Sequence, residues 1–467
     1  MALTGSSQFV EISNASKLPP KSGKFKVVGK NNDGIIVRLY GIEDVINVYG
    51  DDLKLLTTKT ISFKNQSGQL QHIMLNKNGA VIFYLEQDKR RSLLYAQPVN
   101  SKFMEIGQAV LVDSIADRKE MVASNLRFKQ SVDQSSLLIY YPVFSMNKVE
   151  SIRFLCVDRS LKVLYNKTVP VNRDEKELEE SKSLVDNAGN AFLILKPDVE
   201  AGGQYDVLHF DTNGDFSTYS LKTERTLFGE PAFEIDNKNG NLVMTTFYDA
   251  KKSEAEAAAN GFLYASFDPA NGTPVKTNYT PFSREFIAEL TGRENVTNQS
   301  LYTFTIRKSM LRNDGGSLII AESYIKETRD QVMPTGIQPG YNGYRSSDIF
   351  QFNDIIAFSL NPDGKMEWSS VMRKKQVSED DNGTFSSFLI MNEKEKLRFI
   401  YLDDIAGSGT LNEYVLSSMG KYDRDALLNQ EEKDVMIIPK MGKQVSPNEV
   451  ILPSFRSNTL RLVKISF

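Results

Sequence analysis

The feature that most constrains this chain is a phrase that returns at intervals of fifty to eighty residues: an apolar strand, an Asn/Asp/Gly turn and a second apolar strand. It reads MLNKNGAVIFYLE at 74–86, LVDNAGNAFLILKP at 184–197, FEIDNKNGNLVMTTFY at 233–248 and MLRNDGGSLIIAESY at 310–324. Each unit has room for four short strands, too few to bury both faces of its own sheet. Arranged around an axis, such units cover one another and leave few open edges, which is the logic of a β-propeller.

Seven complete units can be marked off, at 24–61, 71–114, 125–171, 182–222, 231–280, 301–372 and 386–429. The remainder, DVMIIPK, NEVILPSF and TLRLVKISF, supplies three strands, and QFVEIS at 8–13 is a spare strand without a hairpin partner. If that spare strand takes the outermost place in the last blade, both termini are clasped in one sheet and the ring closes without a free edge. The expected fold is all-β: a β-propeller of eight four-stranded blades forming a single domain over 1–467, with seven blades as the alternative. Length alone would suggest about three domains, but a closed ring grows by adding blades. Turn chemistry agrees. Asn78-Gly79, Asn213-Gly214, Asn239-Gly240, Asn271-Gly272, Asp33-Gly34, Asp314-Gly315 and Asp363-Gly364 suit tight hairpins that need positive φ. None of these turns has the alternating carboxylates and distant Glu of a calcium loop.

Charge is balanced, 56 basic against 59 acidic residues, so no whole-molecule field draws the chain to nucleic acid or an anionic membrane. The short KRR run at 89–91 is flanked by Glu86 and Asp88 and reads as a solvated loop. A single cysteine, Cys156 in the strand SIRFLCVD, excludes an internal disulfide and reads as a small buried hydrophobe. No run of 18 apolar residues offers a spanning helix. The opening MALTGSSQFVE lacks a basic region followed by an apolar run, so the protein either stays inside the cell or has lost its leader.

The outer hairpins IIAFSLNPDGKMEW (355–368), FLYASFDPANGTPV (262–275) and VLHFDTNGDFSTY (207–219) share an apolar strand, an Asp/Gly turn and a second strand, once with a Trp. This pattern resembles the repeat of quinoprotein-like eight-bladed propellers, a group that includes quinone-dependent dehydrogenases and non-catalytic outer-membrane assembly scaffolds. The chain departs from that group in having one tryptophan, Trp368, where those repeats carry one per blade. Asn/Lys-rich turns, a Tyr/Phe-rich interior and the closing PK-x-G-K-x-V-S-x-N-E-V-I-L (439–452) are also similar in style to uncharacterised exported propellers of Bacteroidota. The resemblance implies export to the periplasm or cell surface, with a cytoplasmic location as the alternative.

Residues for chemistry are sparse. The two histidines, His72 and His209, fall in different blades and are read as structural. Asp236, Glu322 and Asp354 sit where strands meet loops, but nothing pairs any two of them as glycoside hydrolysis would require. No metal site and no cofactor is expected, and quinone chemistry would want further tryptophans, a cysteine pair or a haem. Loop length is the stronger signal. Connections between the first and second strands, and between the third and fourth, are nearly all tight. The other two classes, which emerge together on the opposite face, hold the insertions at 143–149, 172–181, 198–204, 249–261, 281–300, 325–353, 377–385 and 403–411. Residues 251–261 and 282–292 read as short helices, the second capped by Ser283 with Phe286, Ile287 and Leu290 on one side. The longest insertion, 325–352, carries Tyr341, Tyr344, Arg345, Phe350 and Phe352, the types enriched at binding hot spots. These five are the candidate binding residues. The expected function is a non-enzymatic scaffold that engages a protein partner through this face, in a cell-envelope complex such as an outer-membrane assembly. The alternative is a propeller that binds or processes a carbohydrate, tyrosine being suited to stacking on sugars.

Overall fold

The computed structural model describes residues 8–467 apart from 20–22, 64–66, 89, 116–120, 146–147, 176–177, 179–180, 197–203, 250–258, 294–300, 302, 335–341 and 406–408. Eight antiparallel sheets follow one another along the chain. Their first strands are Phe25–Asn31, Gln69–Leu75, Arg127–Gln130, Lys182–Val185, Leu227–Ile235, Phe304–Leu311, Phe388–Asn392 and Lys443–Ser446, opening blades 1 to 8. These strands approach their counterparts in neighbouring blades and surround the axis. The fourth strands form the rim.

Closure is as the spare strand implied. Phe9–Ile12 pairs antiparallel with Thr459–Ser466, Phe9 opposite Ser466 and Ile12 opposite Val463, as the outermost strand of blade 8. Gln8 then reaches blade 7, donating to Glu413 Oε1 at 2.7 Å. Glu11 pairs with Lys464 in the same sheet. A short stretch, Ser16–Lys17, adds to the far end of the same strand.

The core is distributed in eight wedges, one between each adjacent pair of blades. The pleat explains why the second strands are largely apolar rather than alternating. In Ser136–Ser145, Leu137, Ile139 and Tyr141 pack toward blade 2, while Leu138 and Tyr140 pack toward blade 4. A strand covered on both faces buries every residue. Cys156 lies in the wedge between blades 3 and 4, fully buried, its thiol pushed up to about 12 by burial.

All seven Asn-Gly and Asp-Gly turns place the glycine at positive φ. At Gly79 the requirement is double: φ is 100°, and a Cβ would sit 2.2 Å from the Val99 carbonyl oxygen.

The two faces differ, with two corrections to the loop reading. Residues 143–145 and 148–149 continue strands Ser136–Ser145 and Lys148–Asp158, leaving of this insertion only 146–147, which lie outside the described residues. The described residues of 325–352 are likewise no irregular loop: Ser317–Pro334 and Asn342–Leu360 form one ladder, from Ser317 opposite Leu360 to Pro334 opposite Asn342. The inner partner strand stops at Phe304 opposite Ser323, so the distal half projects from the blade as a two-stranded arm. On the opposite, trimmed face, blade 2 is the exception, with a ten-residue connection at 100–109 between Ser92–Val99 and Val110–Ile115. The expected helix at 251–261 lies mostly outside the described residues.

Candidate functional site

The long-connection face is built most heavily at blade 6, where the arm, a helix and a strand-bearing connector meet. Helix α1, Arg284–Thr291, starts at Ser283, whose side chain accepts the Phe286 N–H at 3.1 Å, and ends at Gly292 in the left-handed region. Phe286, Ile287 and Leu290 are buried with Phe247, Phe262, Phe282 and Phe358, so the helix packs on its own propeller. Arg373 satisfies its C-terminal end, donating to the carbonyls of Leu290 at 2.7 Å and Glu289, and pairs with Asp354 at 2.7 Å. A guanidinium here complements the negative end of the helix dipole.

At the root of the arm lies a buried ionic cluster. Glu322 has no solvent exposure; one of its oxygens accepts from Arg307 Nε at 2.9 Å and Ser387 Oγ at 2.8 Å, and the other forms an ion pair with Lys374 Nζ at 2.8 Å. Lys374, equally buried, also donates to the Phe352 carbonyl and to Gln376 Oε1, each at 2.8 Å. Burial holds its ammonium below the ordinary lysine range, and Glu322 opposes that shift. Two irregularities aim these groups. A bulge at Arg307 in the inner strand and another at Ser323 in the second strand break the ladder on either side of the carboxylate. The connector strand Gln376–Glu379 then pairs with Ile349–Phe352 and covers the base of the arm.

The structure separates the five candidate residues. Phe350 and Phe352 are only 4% and 7% exposed. Phe352 lies 4.9 Å from the Tyr324 ring with Arg307 over its face, and Phe350 lies under Lys326 at 5.4 Å. They are the footing of the arm rather than its contact surface. The sequence missed this because inward and outward positions on a ladder depend on register, and the Ser323 bulge resets it. Tyr344 and Arg345 stand opposite Val332 and Gln331 near the arm's tip. Tyr341 lies outside the described residues. The projecting strand bears exposed Lys326, Glu327, Thr328, Arg329 and Asp330, and its outer edge has no partner strand among the described residues.

Groups considered for chemistry are otherwise engaged. Glu322 faces two cations, Asp354 is held by Arg373, and Asp236 accepts the Lys238 N–H in its turn at 3.0 Å. His72 stacks on Phe128 at 4.9 Å and His209 on Phe192 at 4.5 Å. Beside the arm, Asp354, Arg373, Lys375, Tyr401, Asp403 and Arg424 line a depression of about 330 Å³. A larger hollow of about 860 Å³ lies on the same face between blades 1 and 2, lined by Arg38, Tyr40, Asp44 and Phe63, with Ile42 98% exposed beside it. No helix among the described residues is long and apolar enough to cross a membrane.

No family model matches this chain, and no curated protein matches it. Among solved structures it is similar to a protein of unknown function from Bacteroides caccae, at 12% identity and TM-score 0.27, over 75% of this chain and 93% of that one. It is also similar to the uncharacterised protein lmo1340 from Listeria monocytogenes EGD-e, at 9% identity and TM-score 0.41, over 84% of this chain and 90% of that one. The polysaccharide lyase Uly1 aligns at 9% identity and TM-score 0.38, over 85% of this chain and 89% of that one. What the chain itself displays is an eight-bladed, all-β propeller.

Proposed function

We propose that this protein is a non-enzymatic binding propeller that engages a protein partner through the blade 6 arm, within a bacterial cell-envelope assembly of periplasm or cell surface. The observation that carries the reading is the arm itself. A ladder that leaves its blade, keeps one unpaired edge and is footed on a buried ionic cluster is held out rigidly toward something outside the molecule. An open strand edge offers a row of backbone donors and acceptors to an extended partner segment. The charged side chains along it favour a polar, selective contact over indiscriminate strand pairing. Tyr344 and Arg345 supply hot-spot residue types toward the tip, and Tyr341 adds another in the sequence. The resemblance to quinoprotein-like propellers, a group that includes outer-membrane assembly scaffolds as well as dehydrogenases, and the likeness in style to exported Bacteroidota propellers support the envelope setting.

The test is to replace residues 328–347 by an Asn-Gly turn, keeping the footing, and to compare envelope proteins crosslinked by this variant and by wild type. Loss of specific crosslinked partners supports the reading; an unchanged partner list removes it. Saturable binding of wild type to an oligosaccharide on an array, abolished in Tyr341→Ala/Tyr344→Ala, would assign the face to the carbohydrate alternative instead.

A further inference from the structure

Trp368 is the single tryptophan of the chain, and the structure sets it at one end of a slot between blades 6 and 7 on the trimmed face. Each blade contributes one wall, and strand register shows how. Across blade 6, Met310 stands opposite Leu318, Leu318 opposite Ser359 and Ser359 opposite Trp368, a row that runs from hub to rim on one side of the sheet. Across blade 7, Asn392 stands opposite Leu397 and Leu397 opposite Leu416. Both rows line one cavity of about 410 Å³. Three strand spacings of ~4.8 Å make it roughly 14 Å long.

The walls are braced from outside and are not tied to each other. Behind blade 6, Tyr264 of blade 5 donates to the Gly315 carbonyl at 3.3 Å, and Lys238 donates to that of Asn313. Behind blade 7, Gln444 of blade 8 accepts the Asn392 N–H at 3.0 Å and donates to its carbonyl at 2.8 Å. Among the described residues, no hydrogen bond or ion pair joins the turn at 312–316 to the turn at 393–396. The indole marks the rim end. It donates to the Ser418 carbonyl at 3.0 Å and lies so close on Gly420 that a Cβ there would come within 2.6 Å of the ring. The slot is therefore preformed, and its size is that of a small-molecule site.

Between these partly apolar walls the mouth is polar. The side-chain amides of Asn313 and Asn392, both exposed, make no hydrogen bond among the described residues. Charge at the slot is balanced. Arg312 is committed to Asp314 at 2.6 Å and to Glu367, and Glu393 to Arg398. Lys394 and Lys396 with Glu395 bring the total to four positive and four negative groups, so a ligand of neither sign gains from the field. We propose that this slot binds a neutral saccharide, a short run of sugar rings held between the two blades. A sugar ring offers C–H faces to Trp368 and the leucines. Its hydroxyls both donate and accept, as the amides of Asn313 and Asn392 do. A purely apolar peptide side chain would use the walls and leave those amides idle. The slot lies on the face away from the arm and does not depend on what the arm engages.

Because the chain has one tryptophan, its fluorescence reports on this slot alone. Titration with maltotriose, cellotriose and triacetylchitotriose, beside trigalacturonate and an acetylated leucine peptide amide, tests the proposal. A saturable change in emission with at least one neutral trisaccharide is expected. Its apparent affinity should fall tenfold or more in Asn313→Ala/Asn392→Ala and stay unchanged in Tyr341→Ala/Tyr344→Ala on the arm. Both asparagines are exposed, and an unaltered emission spectrum of the sugar-free double variant shows that the slot is intact. Calorimetry with Trp368→Phe, which lacks the reporter, should give weaker binding of the same sugar. No saturable response to any neutral trisaccharide, a stronger response to trigalacturonate or the peptide, unchanged affinity in Asn313→Ala/Asn392→Ala, or weakening in the arm variant instead overturns the proposal.

Discussion

Glu322 and Lys374, both without solvent exposure, meet at 2.8 Å at the root of the blade 6 arm. One comes from the second strand of the blade and the other from the connector that leaves it, so the pair ties the arm to the chain segment that covers its base. Arg307 and Ser387 complete the shell around the carboxylate.

Removing one member of this cluster should cost more than the pair itself contributes, because a charge is left buried without its partner. Lys374→Met is expected to destabilise the protein by about 3–5 kcal/mol, and Glu322→Leu/Lys374→Met together by less than the sum. Calorimetric melting of the two single variants and the double variant checks both statements. Hydrogen exchange in 346–352 should rise in the single variants, since those amides lie on the ladder that the cluster anchors.

Ring closure rests on Phe9–Ile12 and on the bond from Gln8 to Glu413. Deleting residues 1–13 exposes the edge of Thr459–Ser466, an eight-residue strand carrying Leu460, Leu462, Val463 and Ile465. The truncated protein is expected to melt at lower temperature and to self-associate through that edge. Light scattering at several concentrations gives the outcome; a monomer of unchanged stability would show that the clasp is dispensable.

Gly383 has φ 61°, and a Cβ there would lie 2.4 Å from the Phe352 ring. Gly383→Ala therefore strains the backbone and displaces the aromatic footing of the arm, at a cost of about 1–3 kcal/mol. The expected signature is lower stability together with weaker binding of whatever the arm engages. Gly23→Ala, also at positive φ but with open space around its Cβ, separates backbone strain from the clash.

His72 is held at about 4, chiefly by burial and then by the fields of Lys26, Arg38 and Lys443. Its folded value lies below the unfolded value near 6.5, so the unfolded chain binds the extra proton. The contribution to stability is complete above about 6.5 and is lost as pH falls through the interval down to about 4. Wild type should lose on the order of a few kcal/mol across that window relative to His72→Phe. Denaturation curves of the two proteins at pH 7.5, 5.5 and 4.5 measure the difference, while the carboxylates common to both cancel.

Much of this architecture was legible because it is written in local signals. Asn78-Gly79 and its six counterparts mark hairpins through backbone chemistry confined to two residues, and every one of those glycines adopts positive φ. The near-continuous apolar runs mark strands covered on both faces. The strand at 8–13 was assigned to the last blade by counting, and the register from Phe9 opposite Ser466 agrees. Less of the candidate site could be read. Residues 325–352 look like a loop because Gly, Pro and charged residues interrupt them, and their continuation as a ladder depends on a bulge at Ser323 and on cover from Gln376–Glu379.

The chain by itself determined the repeat and the turns, since each depends on residue type and short spacing, and counting its strands left one over for the last blade. Tertiary structure alone decided that Phe350 and Phe352 face inward, that Glu322 meets Lys374, and that Gln8 reaches Glu413. The physical reason is distance along the chain. Strand register and the meeting of distant side chains arise only when segments tens to hundreds of residues apart are brought together, and no short window of sequence records that.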